Sequence, residues 1–155
     1  MVQSYRDLRV WRKGIAIAEE VYRLCRKLPV EERYGIAQQM KRASVSIATN
    51  VAEGYGRGYL GEYLRFISIA NGSLKEVETL VLLSIRLRFF SPSDAQTTLI
   101  ATDHLGRMFT LLTRRLSLKT ANRQLAVQPL FSTTYSLPPT GSSTHSSTSP
   151  TRVPG

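Results

Sequence analysis

The sequence has few of the features that stabilise secreted or membrane proteins. Its one cysteine, Cys25, excludes an intramolecular disulfide framework and a cysteine-based zinc cage. No apolar run exceeds four residues, whereas a membrane-spanning helix needs about 20. The N-terminus also has no apolar signal-peptide core. These absences predict a soluble protein of a reducing compartment, which we expect to be cytoplasmic.

Acidic residues are absent from the last 39 positions. All 11 acids precede residue 117, together with 18 of the 21 bases. The first 116 residues therefore have a net charge of +7, and the remainder has +3. Because net charge determines partners rather than fold, this balance favours a polyanionic partner, above all nucleic acid.

The composition changes sharply near residue 117. Of the 24 residues at positions 132–155, 19 are Ser, Thr, Pro or Gly. Such a segment cannot bury enough apolar surface to offset the entropy of ordering it. We therefore predict a domain over residues 1–116 and a mostly disordered tail over residues 117–155.

The first 116 residues have helical patterns. No proline lies between Pro29 and Pro92, and the apolar residues do not alternate with a period of two. Ser4 and Asp7 have the spacing of a capping box, and Pro29 ends the first helix. Two adjacent apolar stripes run along this helix. The first contains Val10, Gly14, Ile17, Val21, Leu24 and Leu28, and the second contains Trp11, Ile15, Ala18, Tyr22 and Cys25.

Three further helices are predicted, from Glu31 or Glu32 to Gly54, from about Leu60 to Leu87 or Arg88, and from Ser91 to about Leu116. Gly72, inside the third helix, predicts close backbone packing, because glycine is unfavourable in a helix interior. Ser91 and Asp94 form a second capping box, and Leu111 lies on the apolar face of the fourth helix. Four helices with short connections predict an all-α, antiparallel up-down four-helix bundle with a disordered C-terminal tail.

The motifs give no case for catalysis, a cofactor or a metal. The segment from Gly56 to Gly61 matches G-x-G-x-x-G, but a helix precedes it where a dinucleotide site needs a strand. Neither His104 nor His145 follows a glutamate by three residues, as bundle metal sites require. We therefore predict a protein that is not an enzyme.

A polar stripe runs along the second helix, with its residues spaced three or four positions apart. It contains Gln39, Arg42, Ser46, Asn50 and Glu53. We interpret it as a structural polar seam in which Arg42 pairs with Glu53, or with Glu76 or Glu78 of the next helix, because buried charges need partners. The alternative is an enzymatic pocket formed by Arg42, Asn50, Glu53 and Glu76.

The basic residues are the one feature of the sequence that indicates a binding partner. The predicted nucleic-acid-binding residues are Arg9, Arg12, Lys13, Lys41, Arg57, Arg65, Arg114 and Arg115. Their cationic side chains attract phosphates, and the interleaved Tyr55, Tyr59 and Tyr63 can stack on unpaired bases. The alternative interpretation is a set of solvated helix faces.

Three stretches together resemble a known family. They run from Tyr5 to Lys13, from Tyr34 to Gly54 and from Gly72 to Thr79, and the second contains the specific block Ser-Ile-x-x-Asn-x-Ala-Glu-Gly. Over about residues 5–116 the chain resembles the 23S ribosomal RNA intervening-sequence proteins, also called S23-like four-helix bundle proteins. Many members have proline where this chain has Ala48, and alanine continues the helix more smoothly.

The resemblance implies a small bacterial four-helix bundle that assembles as a homopentamer. One branch, the accessory variability determinants of diversity-generating retroelements, is highly basic, binds RNA and DNA, and acts with a reverse transcriptase. Other members are encoded inside ribosomal RNA insertions without a settled role, and none is an established enzyme. The charge of +10 favours the retroelement branch. The competing hypothesis is a protein-interaction scaffold with no nucleic-acid role.

Overall fold

The computed structural model describes the backbone of residues 3–127 and the side chains of residues 3–121. Four α-helices make up most of this region: α1 (Arg9–Cys25), α2 (Ile36–Gly56), α3 (Leu60–Arg86) and α4 (Pro92–Val127). Short 3₁₀ turns at Tyr5–Asp7 and Val30–Tyr34 precede α1 and α2. The part of the chain described contains no β-strand.

The four helices form a closed ring of neighbours. Each helix packs against the next one along the chain, and α4 returns to pack against α1. Within residues 3–127 the diagonal pairs, α1 with α3 and α2 with α4, have no close backbone approach. The predicted all-α, up-down four-helix bundle is therefore confirmed.

All four helices supply the core. Its largest fully buried side chains include Ile17 from α1, Met40 and Ile47 from α2, Ile67 and Leu74 from α3, and Leu105 and Phe109 from α4. The first predicted stripe of α1 is buried except at half-buried Leu28. In the second stripe, Cys25 lies in the core and Trp11 packs against it, whereas Ile15 and Tyr22 are exposed. The apolar face of α1 is thus wider than the bundle itself covers.

The helix starts differ from the sequence predictions in local detail. The Ser4–Asp7 capping box forms, but it caps the 3₁₀ turn before α1. The second helix begins at Ile36, because a 3₁₀ turn and Gly35 come first. Glu32 then accepts a hydrogen bond from the Ile36 backbone N–H at 3.1 Å.

The end of α2 corrects the predicted stop at Gly54. A Cβ atom at this position would lie 2.7 Å from Phe66 Cβ, so the glycine lets α3 approach closely rather than ending the helix. The helix continues to Gly56, and Gly58, with a φ of 72°, then turns the chain toward α3.

Gly72 does not have the predicted role. No heavy atom lies within 4 Å of the position that its Cβ would occupy, and the residue is exposed. The prediction of close backbone packing was therefore wrong. Close helix contact is made elsewhere, at Gly54 and at Gly14, where an added Cβ would be 3.2 Å from Ile47 Cγ2.

The fourth helix begins as predicted and ends later. Asp94 N–H donates to Ser91 Oγ at 3.2 Å, and Ser91 N–H donates to Asp94 Oδ2 at 3.0 Å, which completes the second capping box. The helix passes the predicted boundary at residue 116 and reaches Val127, because no helix-breaking residue occurs before Pro129. Phe109 fills the core, whereas Leu111, predicted on the apolar face, is 53% exposed. The rest of the predicted tail, residues 128–155, lies outside the described residues.

None of the helices within residues 3–127 has both the length and the apolar composition that crossing a bilayer requires.

Candidate nucleic-acid interface

A plane across the middle of the bundle divides the described residues into two halves. It passes near Ser46 and Ser73, whose hydroxyls are 2.9 Å apart, and near Gly106, whose added Cβ would contact Leu74 at 3.6 Å. One half contains the start of α1, the end of α2, the start of α3 and the C-terminal part of α4. It covers residues 3–17, 46–73 and 106–121, and we call it the basic half.

The charge is distributed very unequally between the two halves. The basic half has ten Lys and Arg against three acids, a net charge of +7. The opposite half, residues 18–45 and 74–105, has nine against eight, a net charge of +1. The ten bases are Arg6, Arg9, Arg12, Lys13, Arg57, Arg65, Arg107, Arg114, Arg115 and Lys119. The fold therefore concentrates almost all the excess positive charge of this region at one end of the bundle.

Seven of the eight predicted nucleic-acid-binding residues lie in the basic half. Lys41 is the exception, because α2 carries it toward the opposite end. There its Nζ lies 5.4 Å from the centre of the Tyr22 ring, beside a groove on α1. Lys41 is thus separated from the other seven residues.

A local network orders the basic residues at the start of α1. Tyr5 and Trp11 pack edge to face, with ring centroids 5.3 Å apart, and Arg6 lies over the Tyr5 ring at 5.5 Å. Arg12 Nε donates to the Arg6 carbonyl at 2.8 Å, and its guanidinium lies 3.6 Å from Asp7. The Tyr5 ring thus positions Arg6, and the Arg6 carbonyl and Asp7 position Arg12, at the bundle surface.

The junction of α2 and α3 brings two arginines to one aromatic ring. The guanidinium carbons of Arg57 and Arg65 lie 5.4 and 6.0 Å from the centre of the Phe66 ring. Arg57 pairs with Glu53 at 2.5 Å, and Arg65 lies 3.6 Å from Glu62. These ion pairs are exposed, and exposed pairs contribute little energy, so a phosphate can displace the carboxylates at small cost.

The C-terminal part of α4 extends the positive surface. Arg114 and Arg115 are exposed, and neither forms an ion pair within residues 3–121. Lys119, also exposed, was missed because the sequence prediction ended this helix at Leu116. Arg107 was missed as well, and it pairs with Asp103 at 2.6 Å.

The predicted polar seam is formed only in its uncharged part. Asn50 Nδ2 donates to the Ser46 carbonyl at 2.7 Å and to Ser46 Oγ at 2.9 Å. The Ser46 hydroxyl is also hydrogen-bonded to the Ser73 hydroxyl of α3. Glu53 pairs with Arg57 instead of Arg42.

The charged members of the seam, Arg42, Glu53 and Glu76, are exposed to solvent. The predicted pairing of Arg42 is therefore not seen, and these residues do not assemble into a closed pocket. Among the described residues, no three His, Cys, Asp or Glu side chains are grouped so that they could hold a metal ion.

A four-helix bundle with one strongly basic end is thus the class of protein that the structure defines. The family model for the 23S rRNA-intervening sequence protein matches residues 6–111, and the chain belongs to this family. A search of the curated proteins gave no match.

A solved structure supports the fold. It is a protein of unknown function of the S23 ribosomal protein family from Bacteroides thetaiotaomicron, and it is 19% identical to this chain. The match covers 67% of this chain and 97% of that chain, with a TM-score of 0.62.

Proposed function

We propose that this protein is a non-enzymatic, homo-oligomeric bundle that binds nucleic acid through phosphate contacts at its basic half. The observation that carries the proposal is the charge of +7 in one half against +1 in the other. Evenly solvated helix faces would not segregate charge in this way. Phosphate contacts of Lys and Arg supply most of the non-specific affinity of proteins for nucleic acid.

A role beside a reverse transcriptase follows as the more specific part of the proposal. Membership of the 23S rRNA-intervening sequence protein family is compatible with this role, and the net charge of +10 supports it, because the retroelement-associated branch of that family is highly basic. In this role the bundle holds template RNA or newly made cDNA near the polymerase and performs no chemistry itself. A reverse-transcriptase gene beside the gene for this protein would support this role. A location inside a ribosomal RNA insertion would oppose it.

Exposed apolar side chains support self-association, which we propose leads to a homopentamer. Ile15 and Tyr22 are exposed on one face of α1, where they line a groove with Ala18. Ile69 and Leu83 of α3, and Leu87 directly after it, are 41–48% exposed and share a face by their helical spacing. Sedimentation equilibrium measures the mass of the assembly, and a monomer across the micromolar range would contradict this part.

A binding experiment with charge-reversed variants tests the main proposal. The nuclease-treated full-length protein and its Arg114→Glu/Arg115→Glu variant are titrated against several labelled single-stranded RNAs of different sequence. We expect a loss of affinity of about tenfold or more, similar for every sequence, because phosphate contacts carry no sequence information. Arg26→Glu/Arg86→Glu, which makes the same change of charge in the opposite half, is the matched control. A strong base preference would contradict a purely electrostatic mode.

The second candidate function is a protein-interaction scaffold, which one feature of α4 favours. Ile100, Leu111 and Leu118 are 53–62% exposed and lie along a single face of this helix. If the wild-type protein does not bind RNA at about 50 mM salt, the scaffold function is favoured, with this face as the binding surface for another protein.

A further inference from the structure

The connection between α2 and α3 presents an aromatic ring to solvent. Tyr59 is 77% exposed, and it is the N-cap residue immediately before α3. Its carbonyl accepts the hydrogen bond of Tyr63 N–H at 2.9 Å, so the helix fixes its backbone while the ring is left uncovered. A tyrosine ring buries large apolar area when it is covered, and this one contributes almost nothing to the core.

Two cations flank this ring in the chain. Arg57 precedes it by two residues, and Arg65 lies on the second turn of α3, about 9 Å along the helix axis. Both guanidinium groups are positioned over the buried ring of Phe66, so the core of the bundle fixes the place of both charges.

The backbone around the ring is open to close approach. At Gly56, Gly58 and Gly61 no heavy atom lies within 4 Å of the position of an added Cβ. A strand of nucleic acid can therefore reach this connection without meeting side chains at these three positions. The arrangement combines an uncovered ring, two flanking cations and an open backbone.

A second tyrosine, Tyr34, is similarly exposed but has different charges around it. It is 82% exposed in the connection between α1 and α2, at the opposite end of the bundle. Its segment contains Glu31 and Glu32 against one base, Arg33, and these acids repel a phosphate backbone. The two tyrosines therefore form a natural pair with matched exposure and opposite electrostatic surroundings.

We propose that Tyr59 stacks on an unpaired base while Arg57 and Arg65 contact the adjoining phosphates, so that the protein selects single-stranded over duplex nucleic acid. This inference rests on the proposed function and specifies its ligand. Duplex bases are stacked on one another and offer no free face to an aromatic side chain, whereas every unpaired base has one. The selection is therefore for strandedness and not for sequence.

The test compares four proteins on two ligands. Wild type, Tyr59→Ala, Tyr59→Phe and Tyr34→Ala are titrated at one salt concentration against a labelled single-stranded RNA and the same strand annealed to its complement. We expect Tyr59→Ala to weaken single-strand binding about 5- to 150-fold, the range for loss of one stacked base, and to change duplex binding less than about twofold. Tyr59→Phe keeps the ring and Tyr34→Ala removes the other one, and we expect both to bind as wild type does.

Separate outcomes identify which proposal fails. If Tyr59→Ala binds the single strand as tightly as wild type while Arg114→Glu/Arg115→Glu binds weakly, the stacking inference is overturned and the proposed function stands. Equal losses on single strand and duplex would also overturn it. If wild type binds neither ligand, the proposed function fails and the inference fails with it. A single-stranded DNA of the same length shows whether the selection holds for both nucleic acids.

Discussion

Lys27 Nζ lies 2.6 Å from Asp94 Oδ1, and this contact joins the segment after α1 to the first turn of α4. The same carboxylate accepts hydrogen bonds from the backbone N–H and the hydroxyl of Ser91. One side chain therefore caps α4 and ties the fourth helix to the first. These interactions lower the pKa of Asp94 from its ordinary 3.8 to about 2, the hydrogen bond from Lys27 first and those from Ser91 next.

The lowered pKa of Asp94 predicts a loss of stability in acid. A lowered pKa means that the folded state stabilises the charged form of Asp94 relative to the unfolded state. The ion pair therefore stabilises the fold above about pH 4. This contribution is lost as the pH falls from about 4 to 2. We expect Asp94→Asn to be less stable than wild type at pH 6, and most of the difference to be lost by pH 2, where about half of the Asp94 carboxyl groups are protonated in the folded state. Urea unfolding followed by circular dichroism at pH 6, 4, 3 and 2 measures it.

Lys27→Met gives an independent check, because the hydrogen bond from Lys27 is the largest cause of the lowered pKa. It is expected to reproduce part of the effect of Asp94→Asn. A stability difference that stays constant from pH 6 to pH 2 would show that Asp94 acts without its charge.

Two glycines in helices are expected to respond in opposite directions to alanine. Gly72→Ala places a methyl group in open space and removes the helix penalty of glycine, so the free energy of unfolding should rise by about 1 kcal/mol. Gly54→Ala places its Cβ 2.7 Å from Phe66 Cβ, and the free energy of unfolding should fall by about 1 to 3 kcal/mol. Chemical denaturation of both variants tests the pair, and the same sign for both would refute this account of the α2–α3 contact.

Cys25 is expected to behave as an unreactive thiol. It is buried, its Sγ donates to the Ala37 carbonyl at 3.8 Å, and burial raises its pKa, an effect that the charge of Lys41 partly opposes. The thiolate is the reactive form, so at pH 8 alkylation of the folded protein should be much slower than alkylation in urea. Mass spectrometry of the iodoacetamide product follows the reaction. Equal rates in the two conditions would mean that the core around Cys25 opens readily.

Much of the fold was predictable because helical periodicity and capping are local properties of the chain. The buried stripe of α1, the start of α3 and the Ser91 cap follow directly from residue spacing. The errors come from contacts that spacing does not show. Gly54 resembles a helix stop, yet it permits the approach of Phe66, whereas Gly72 resembles a packing site and faces open space.

The candidate site was predictable in its residue types but not in its arrangement. The sequence identifies the arginines, and the up-down topology brings seven of the eight selected residues to one end. Lys41 resembled the others in sequence, but its position along α2 carries it away from them. The sequence also does not distinguish Tyr59, which is exposed, from Tyr55 and Tyr63, which are half-buried.

The salt dependence of binding to labelled single-stranded RNA tests the central claim most directly. For a single strand, each phosphate contact contributes about 0.7 to the slope of log affinity against log salt. We expect a steep slope for wild type, and Arg114→Glu/Arg115→Glu to reduce its magnitude by about 1.4, as two lost contacts require. Arg26→Glu/Arg86→Glu should leave the slope unchanged. No binding at about 50 mM salt, or the same reduction for both pairs, would contradict a nucleic-acid interface at the basic half.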